Sequence, residues 1–142
     1  MPEEEIDDLG VDLSNKSIEL FEEGKDLEAV NLQLEVIEEF IKMLIRERAR
    51  YLGNNNTEIH KLADEGDLQT RINNLIKLCG NDFSHLCSDL QEWRKRRNRL
   101  SHRKASFKNF EELNEFAKET WLLGTKIIYI FMKNIANIPN IE

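Results

Sequence analysis

Apolar residues recur along this chain at steps of three and four, and no segment alternates apolar with polar, so the pattern predicts helices and no strands. The clearest run is Leu27, Val30, Leu34, Ile37, Ile41 and Leu44, one face of a long helix over about 27–52 that Asp26 is placed to cap and Gly53 to end. At about 1.5 Å per residue such a helix is roughly 39 Å long, enough to serve as the spine of the domain. A short helix over about 14–23, closed by Gly24, precedes it. Residues 1–12 are acidic and poor in apolar side chains, which predicts a frayed, flexible tail. Gly53-Asn54-Asn55-Asn56 marks a loop, and Thr57 is a candidate cap for one or two turns before Gly66. Asp67 then caps a helix over 68–79, with Leu68, Ile72, Leu75, Ile76 and Cys79 on its buried side and Gly80 as its stop. A further helix covers about 84–100, and Asn109 with Glu112 forms a capping-box pattern that opens the last one, about 110–136. The expectation is a single all-α domain over 13–142, an antiparallel bundle of about five helices. From 121 to 131 the last helix is apolar on nearly every side, so one face packs inward while another is free to meet a second copy. A homodimer is therefore expected.

Charge changes this picture locally. The 142 residues are 40% hydrophobic and 33% charged with a net charge of −7, a composition of globular chains rather than disordered ones. Yet Arg94, Lys95, Arg96, Arg97, Arg99, Arg103 and Lys104 fall in one short run without an acid, leaving 13 basic against 27 acidic residues elsewhere. That balance excludes indiscriminate polyanion binding and permits phosphate contacts at one place. Two cysteines offer no disulfide framework and suggest a reducing compartment. Met1-Pro2-Glu3-Glu4-Glu5 lacks the basic and apolar regions of a signal peptide. The greasiest stretch, Trp121 to Met132, contains Lys126 and is too short to span a bilayer. A cytoplasmic protein with no membrane role is the expectation.

The candidate chemistry sits at the end of the helix over 84–100. Phe83, Leu86, Cys87, Leu90, Trp93 and Leu100 form one apolar stripe, and Arg97 falls within about 10° of its centre. A guanidinium buried there without a partner costs several kcal/mol, so it must find a partner, reach water or face a cleft. His102 follows five residues on. Imidazole accepts and donates protons near neutrality, whereas guanidinium stays charged and forks onto two phosphate oxygens.

The run Arg97-Asn98-x-x-x-His102 resembles the signature of the HEPN superfamily: an arginine, a polar residue, and a histidine after four to six intervening positions. Arg96 also meets the spacing but projects about 100° away from the stripe, so the helical wheel selects Arg97. The resemblance implies a dimeric, metal-independent endoribonuclease without cofactors. It would cleave single-stranded RNA to 2′,3′-cyclic phosphate and 5′-hydroxyl ends in a toxin, stress or phage-defence setting. Arg97 and His102 would carry the reaction in a cleft shared by two copies, since one chain offers a single histidine in the motif. Asn98 and Ser101 would orient the imidazole or touch the phosphate, and Glu38 or Glu39 would supply an acid from the long helix beside the arginine. Both glutamates also read simply as carboxylates on a solvated helix face. Arg94, Arg96, Arg99, Arg103 and Lys104 would track the substrate backbone by screened attraction. In members paired with nucleotidyltransferase-like antitoxins, a modified tyrosine often lies two residues after the histidine. Lys104 stands there in this chain, which argues against that control and leaves open an antitoxin or other regulatory protein.

Plainer readings stand beside these. Arg97 in the last helical turn also suits a residue reaching water or carbonyls, and Trp93 suits the core as well as a stacking platform. Cys79-x5-His85-x-Cys87 lacks a fourth metal ligand, so no metal is expected. The alternatives to an enzyme are a non-catalytic HEPN-like dimer that binds RNA, a nucleotide or a protein through the same groove, and a plain helical scaffold.

Overall fold

The computed structural model describes residues 3–136, and within them all side chains but those of 3–11, 81, 82 and 134–136. Six α-helices follow one another: α1 (Glu3–Glu22), α2 (Asp26–Tyr51), α3 (Asn56–Asp64), α4 (Leu68–Cys79), α5 (Ser84–His102) and α6 (Phe110–Ala136). Short 3-10 turns, Gly80–Phe83 and Lys104–Ser106, lead into and out of α5, and no strand occurs among the described residues. The all-α class follows the apolar spacing. The apolar face of α2 makes it the spine, because α1, α3, α4 and α6 all pack on it while α5 leans on α4 and α6. Val30, Ile37, Ile41, Leu44 and Ile45 of α2 join Ile72, Leu75, Leu90, Trp93 and Phe131 in one buried core.

The chain reverses after α1 because Gly24 takes φ 79°, a conformation that only a residue without Cβ adopts freely. Its N–H donates to the Phe21 carbonyl at 3.0 Å and the next N–H, of Lys25, to the Leu20 carbonyl at 2.8 Å, which satisfies carbonyls left open at the helix end. Gly53 repeats the arrangement after α2 with Arg50 and Ala49. A polar seam then ties three helices together. Gln33 Nε2 donates to the Trp121 carbonyl at 2.8 Å and to Thr125 Oγ1 at 3.1 Å, Trp121 Nε1 donates to Ser17 Oγ at 2.9 Å, and Phe21 stacks on the indole with ring centroids 3.9 Å apart. Further along, Phe40 meets Phe131. Hence α2 and α6 run parallel, with α1 antiparallel to both.

Several boundaries depart from the expected ones. Residues 3–12, expected as a frayed tail, lie in α1; residues 1 and 2 lie outside the described ones. In the sequence, Ile6, Leu9 and Leu13 continue the helical spacing of Ser17 and Leu20. Asp26 is not the cap of α2: Lys25 holds that position without a side-chain bond, and Asp26 sits in the first turn. The turns after the Asn-rich loop make a nine-residue helix capped by Asn55 rather than Thr57, with the Asn55 side chain accepting from Glu58 N and the Glu58 side chain from Asn55 N. Asp67 caps α4 as expected. At α6 the Asn109 side chain accepts from Glu112 N at 2.8 Å, but the Glu112 carboxylate takes the N–H of Lys108 instead of closing the box. Finally, α5 runs on to His102, so the motif histidine occupies its last turn.

No helix among the described residues is long and apolar enough to cross a membrane.

Candidate functional site

The two faces of α5 separate the motif. Leu86, Cys87, Leu90, Trp93 and Leu100 are buried as the stripe predicts, and Arg97 enters it half-buried, its Nε enclosed without a hydrogen-bond partner. Arg94, one turn earlier, also has an enclosed, unpaired Nε. Its positive charge helps to hold the Asp67 carboxyl below the usual carboxylate range, after the larger effect of hydrogen bonds from Thr70. Five helical steps take Arg97 to His102, about 140° around the axis and about 7.5 Å along it. The imidazole is therefore exposed on the far side of the helix from the guanidinium.

That far side carries a groove. Lys95, Asn98, Arg99 and His102 repeat at i, i+3, i+4 and i+7, which stacks them on one helical face. With Arg103 and Ser106 they line an open hollow of about 560 Å³. Arg99 is the best-fixed cation there. Its Nε donates to Ser106 Oγ at 3.1 Å, its guanidinium lies 4.0 Å from the Phe107 ring and 4.8 Å from the Phe116 ring, and the Glu112 carboxylate approaches to 3.9 Å. The Ser106 hydroxyl in turn donates to the Arg103 carbonyl at 2.6 Å, so the 3-10 turn braces the arginine. Cations are also favoured here by the negative end of the α5 dipole.

The remaining candidates scatter. Arg96 faces α6: its Nε donates to Thr120 Oγ1 at 3.0 Å, one terminal nitrogen meets Glu119 at 3.0 Å, and the guanidinium covers the Phe116 ring at 4.0 Å. It is a packing residue between α5 and α6, not an open cation. Lys104 is exposed in the following turn, and Ser101 is half-buried on the Arg94 side of the helix. Glu39 pairs with Lys42 at 3.5 Å. Glu38 is half-buried, and among the described residues no ion pair joins either glutamate to Arg97. Lys95 and Ser106 were not among the expected site residues. Lys95 was legible, seven positions before His102 on the same face. Ser106 was not, because its place depends on how the turn after α5 folds back.

The groove thus offers three permanent cations, an exposed imidazole and an amide to a polyanion. Cys87 is no rival nucleophile, since burial pushes its thiol up. Among the described residues no three His, Cys, Asp or Glu side chains gather as a metal site. Compared with known proteins, the chain matches no protein-family model, no curated protein and no solved structure.

Proposed function

We propose that this chain is a HEPN-type, metal-independent endoribonuclease that acts on single-stranded RNA as a homodimer in a toxin, stress or phage-defence setting. The observation that carries the reading is the groove in which His102 stands beside Arg99, Arg103 and Lys95. In the reaction the His102 imidazole withdraws the ribose 2′-hydroxyl proton, the 2′-oxygen attacks the adjacent phosphorus, and the arginines hold the charge that builds on the phosphoryl oxygens. The bond to the 5′-oxygen breaks, and that oxygen takes a proton, leaving a 2′,3′-cyclic phosphate. One groove holds one imidazole, so the second proton comes from the other copy's His102 where both grooves reach one phosphate, and from water where they do not. Arg97 reaches the same strand only around the C-terminal end of α5, its Cα about 9 Å from that of His102 in an ideal helix.

The test is cleavage of single-stranded RNA in excess chelator by the parent, His102→Ala, Arg97→Ala and Arg99→Ala. Loss of His102 is expected to slow cleavage by about a hundredfold or more, with folding checked by circular dichroism. Equal rates for parent and His102→Ala reject the reading.

A second reading, a non-catalytic RNA- or nucleotide-binding module, is favoured by one observation: Arg97 and His102 point to different sides of α5. It predicts salt-sensitive binding through the groove and no product.

A further inference from the structure

The cations of the groove are evenly spaced. Lys95, Arg99 and Arg103 follow one another at four-residue steps, and the N–H of Arg103 still donates to the Arg99 carbonyl at 3.0 Å, so the helical rise holds to the last of them. Each step is about 6 Å along α5 and about 40° around it. All three line the hollow; Lys95 and Arg103 are exposed, and Arg99 is half-buried over the Phe107 ring. Asn98 and His102, also four apart, make a second row beside the first on the same face.

The row has an end and a guarded side. Toward the start of α5 the same face continues with Gln91 and Glu92, an amide and an exposed carboxylate, so the cations stop at Lys95. Along the α6 flank stand Glu112, 3.9 Å from Arg99, and Glu119, 3.0 Å from Arg96, carboxylates that turn a polyanion away from that helix. Successive phosphates of an extended single strand are roughly 6–7 Å apart along a cationic groove that tracks its backbone, close to the interval between these side chains. A strand laid along α5 therefore meets one cation per phosphate, whereas a strand laid across the helix leaves the row after one contact.

We propose that the groove holds a single strand along α5 in a fixed register, with three successive phosphates on Lys95, Arg99 and Arg103, and that Lys95 sets the length of strand the site requires. Along the helix axis His102 lies about 1.5 Å from Arg103, about 4.5 Å from Arg99 and about 10.5 Å from Lys95. The imidazole thus serves the phosphate at the Arg99–Arg103 end, and Lys95 holds a phosphate at least one nucleotide away from the reacting one. Three internal phosphates make a tetranucleotide the smallest strand that fills the row. The inference rests on the RNA reading above for its ligand, and it adds the register and the length, neither of which depends on whether the strand is cut.

The test is binding of 2′-O-methyl oligouridylates of about two to eight nucleotides, which lack the attacking hydroxyl and carry no terminal phosphates, measured by competition against a labelled strand at about 50 mM salt. Affinity is expected to rise about fivefold with each nucleotide up to the tetranucleotide and by less than about twofold per nucleotide beyond it. Lys95→Ala is expected to bind the tetranucleotide about fivefold more weakly than the parent and the trinucleotide within about twofold, because two phosphates still fit Arg99 and Arg103. Lys95→Arg is expected to restore the tetranucleotide. An affinity that climbs evenly past the tetranucleotide, or a Lys95→Ala variant that loses trinucleotide and tetranucleotide alike, overturns the register and leaves the RNA reading standing. A parent that binds no length of strand overturns both. The expected length dependence together with equal cleavage of unmodified RNA by parent and His102→Ala sinks the chemistry and leaves the register.

Discussion

Gly124, Arg96 and Arg99 resemble ordinary choices in the sequence and carry unusual consequences in the fold. Gly124 lies where α6 crosses α2 and α5, and a Cβ built there would sit 2.1 Å from Gln33 Oε1 and 2.7 Å from Trp93 Nε1. Gln33 cannot simply step aside, since its Nε2 is bonded to Trp121 and Thr125. Gly124→Ala should therefore lower stability by about 2 kcal/mol, overpacking outweighing the better helix propensity of alanine, read as a lower denaturant midpoint at an unchanged slope. Arg96 and Arg99 make a second contrast three residues apart. Arg96→Ala deletes bonds to Thr120 and Glu119 and a ring contact, so it should destabilise by about 1–2 kcal/mol while leaving RNA affinity intact in the folded protein. Arg99→Ala should weaken RNA binding and flatten its salt dependence by about one phosphate's worth. If Arg96→Ala instead weakens binding as much as Arg99→Ala does, the division between packing and groove arginines is wrong.

At the scale of elements, boundaries set by backbone chemistry were legible and those set by tertiary contact were not. Gly24 and Gly53 stop α1 and α2 through the same pair of reversed hydrogen bonds, a requirement that the bare glycines announce. Asp67 caps α4 through Thr70 N at 2.9 Å and Thr70 Oγ1 at 2.8 Å. By contrast, Lys25 precedes α2 without a side-chain cap; the packing of its long apolar face sets that start, and no residue code records it. The site divides in the same way. Arg97 in the stripe and His102 near the helix end follow from the wheel alone, and so does their divergence once α5 runs unbroken to His102. The bracing of Arg99 by Ser106, Phe107 and Phe116 depends on a turn and a second helix. The Asp67 cap also makes a pH prediction. Its carboxyl titrates below the ordinary 3.8 because the Thr70 bonds favour the charged form, so its contribution is complete above that value and fades as pH falls through the lower folded one. Asp67→Asn keeps an acceptor but cannot titrate, so thermal midpoints should fall less steeply below pH 3.8 in the variant than in the parent. Parallel profiles would show that the cap is not coupled to folding.

For the whole molecule, the decisive contrast is between an acidic body and a basic groove. A net charge of −7 repels nucleic acid from most of the surface, so under the proposed function the strand is expected where Lys95, Arg99 and Arg103 line one hollow with His102. Three permanent cations facing phosphates release about three counterions, and for a single strand the logarithm of affinity should fall with the logarithm of salt at a slope of about −2. A much steeper slope would mean that Arg94, Arg97 or Lys104 also meets the strand, and with it that the RNA wraps the end of α5 instead of lying in the groove.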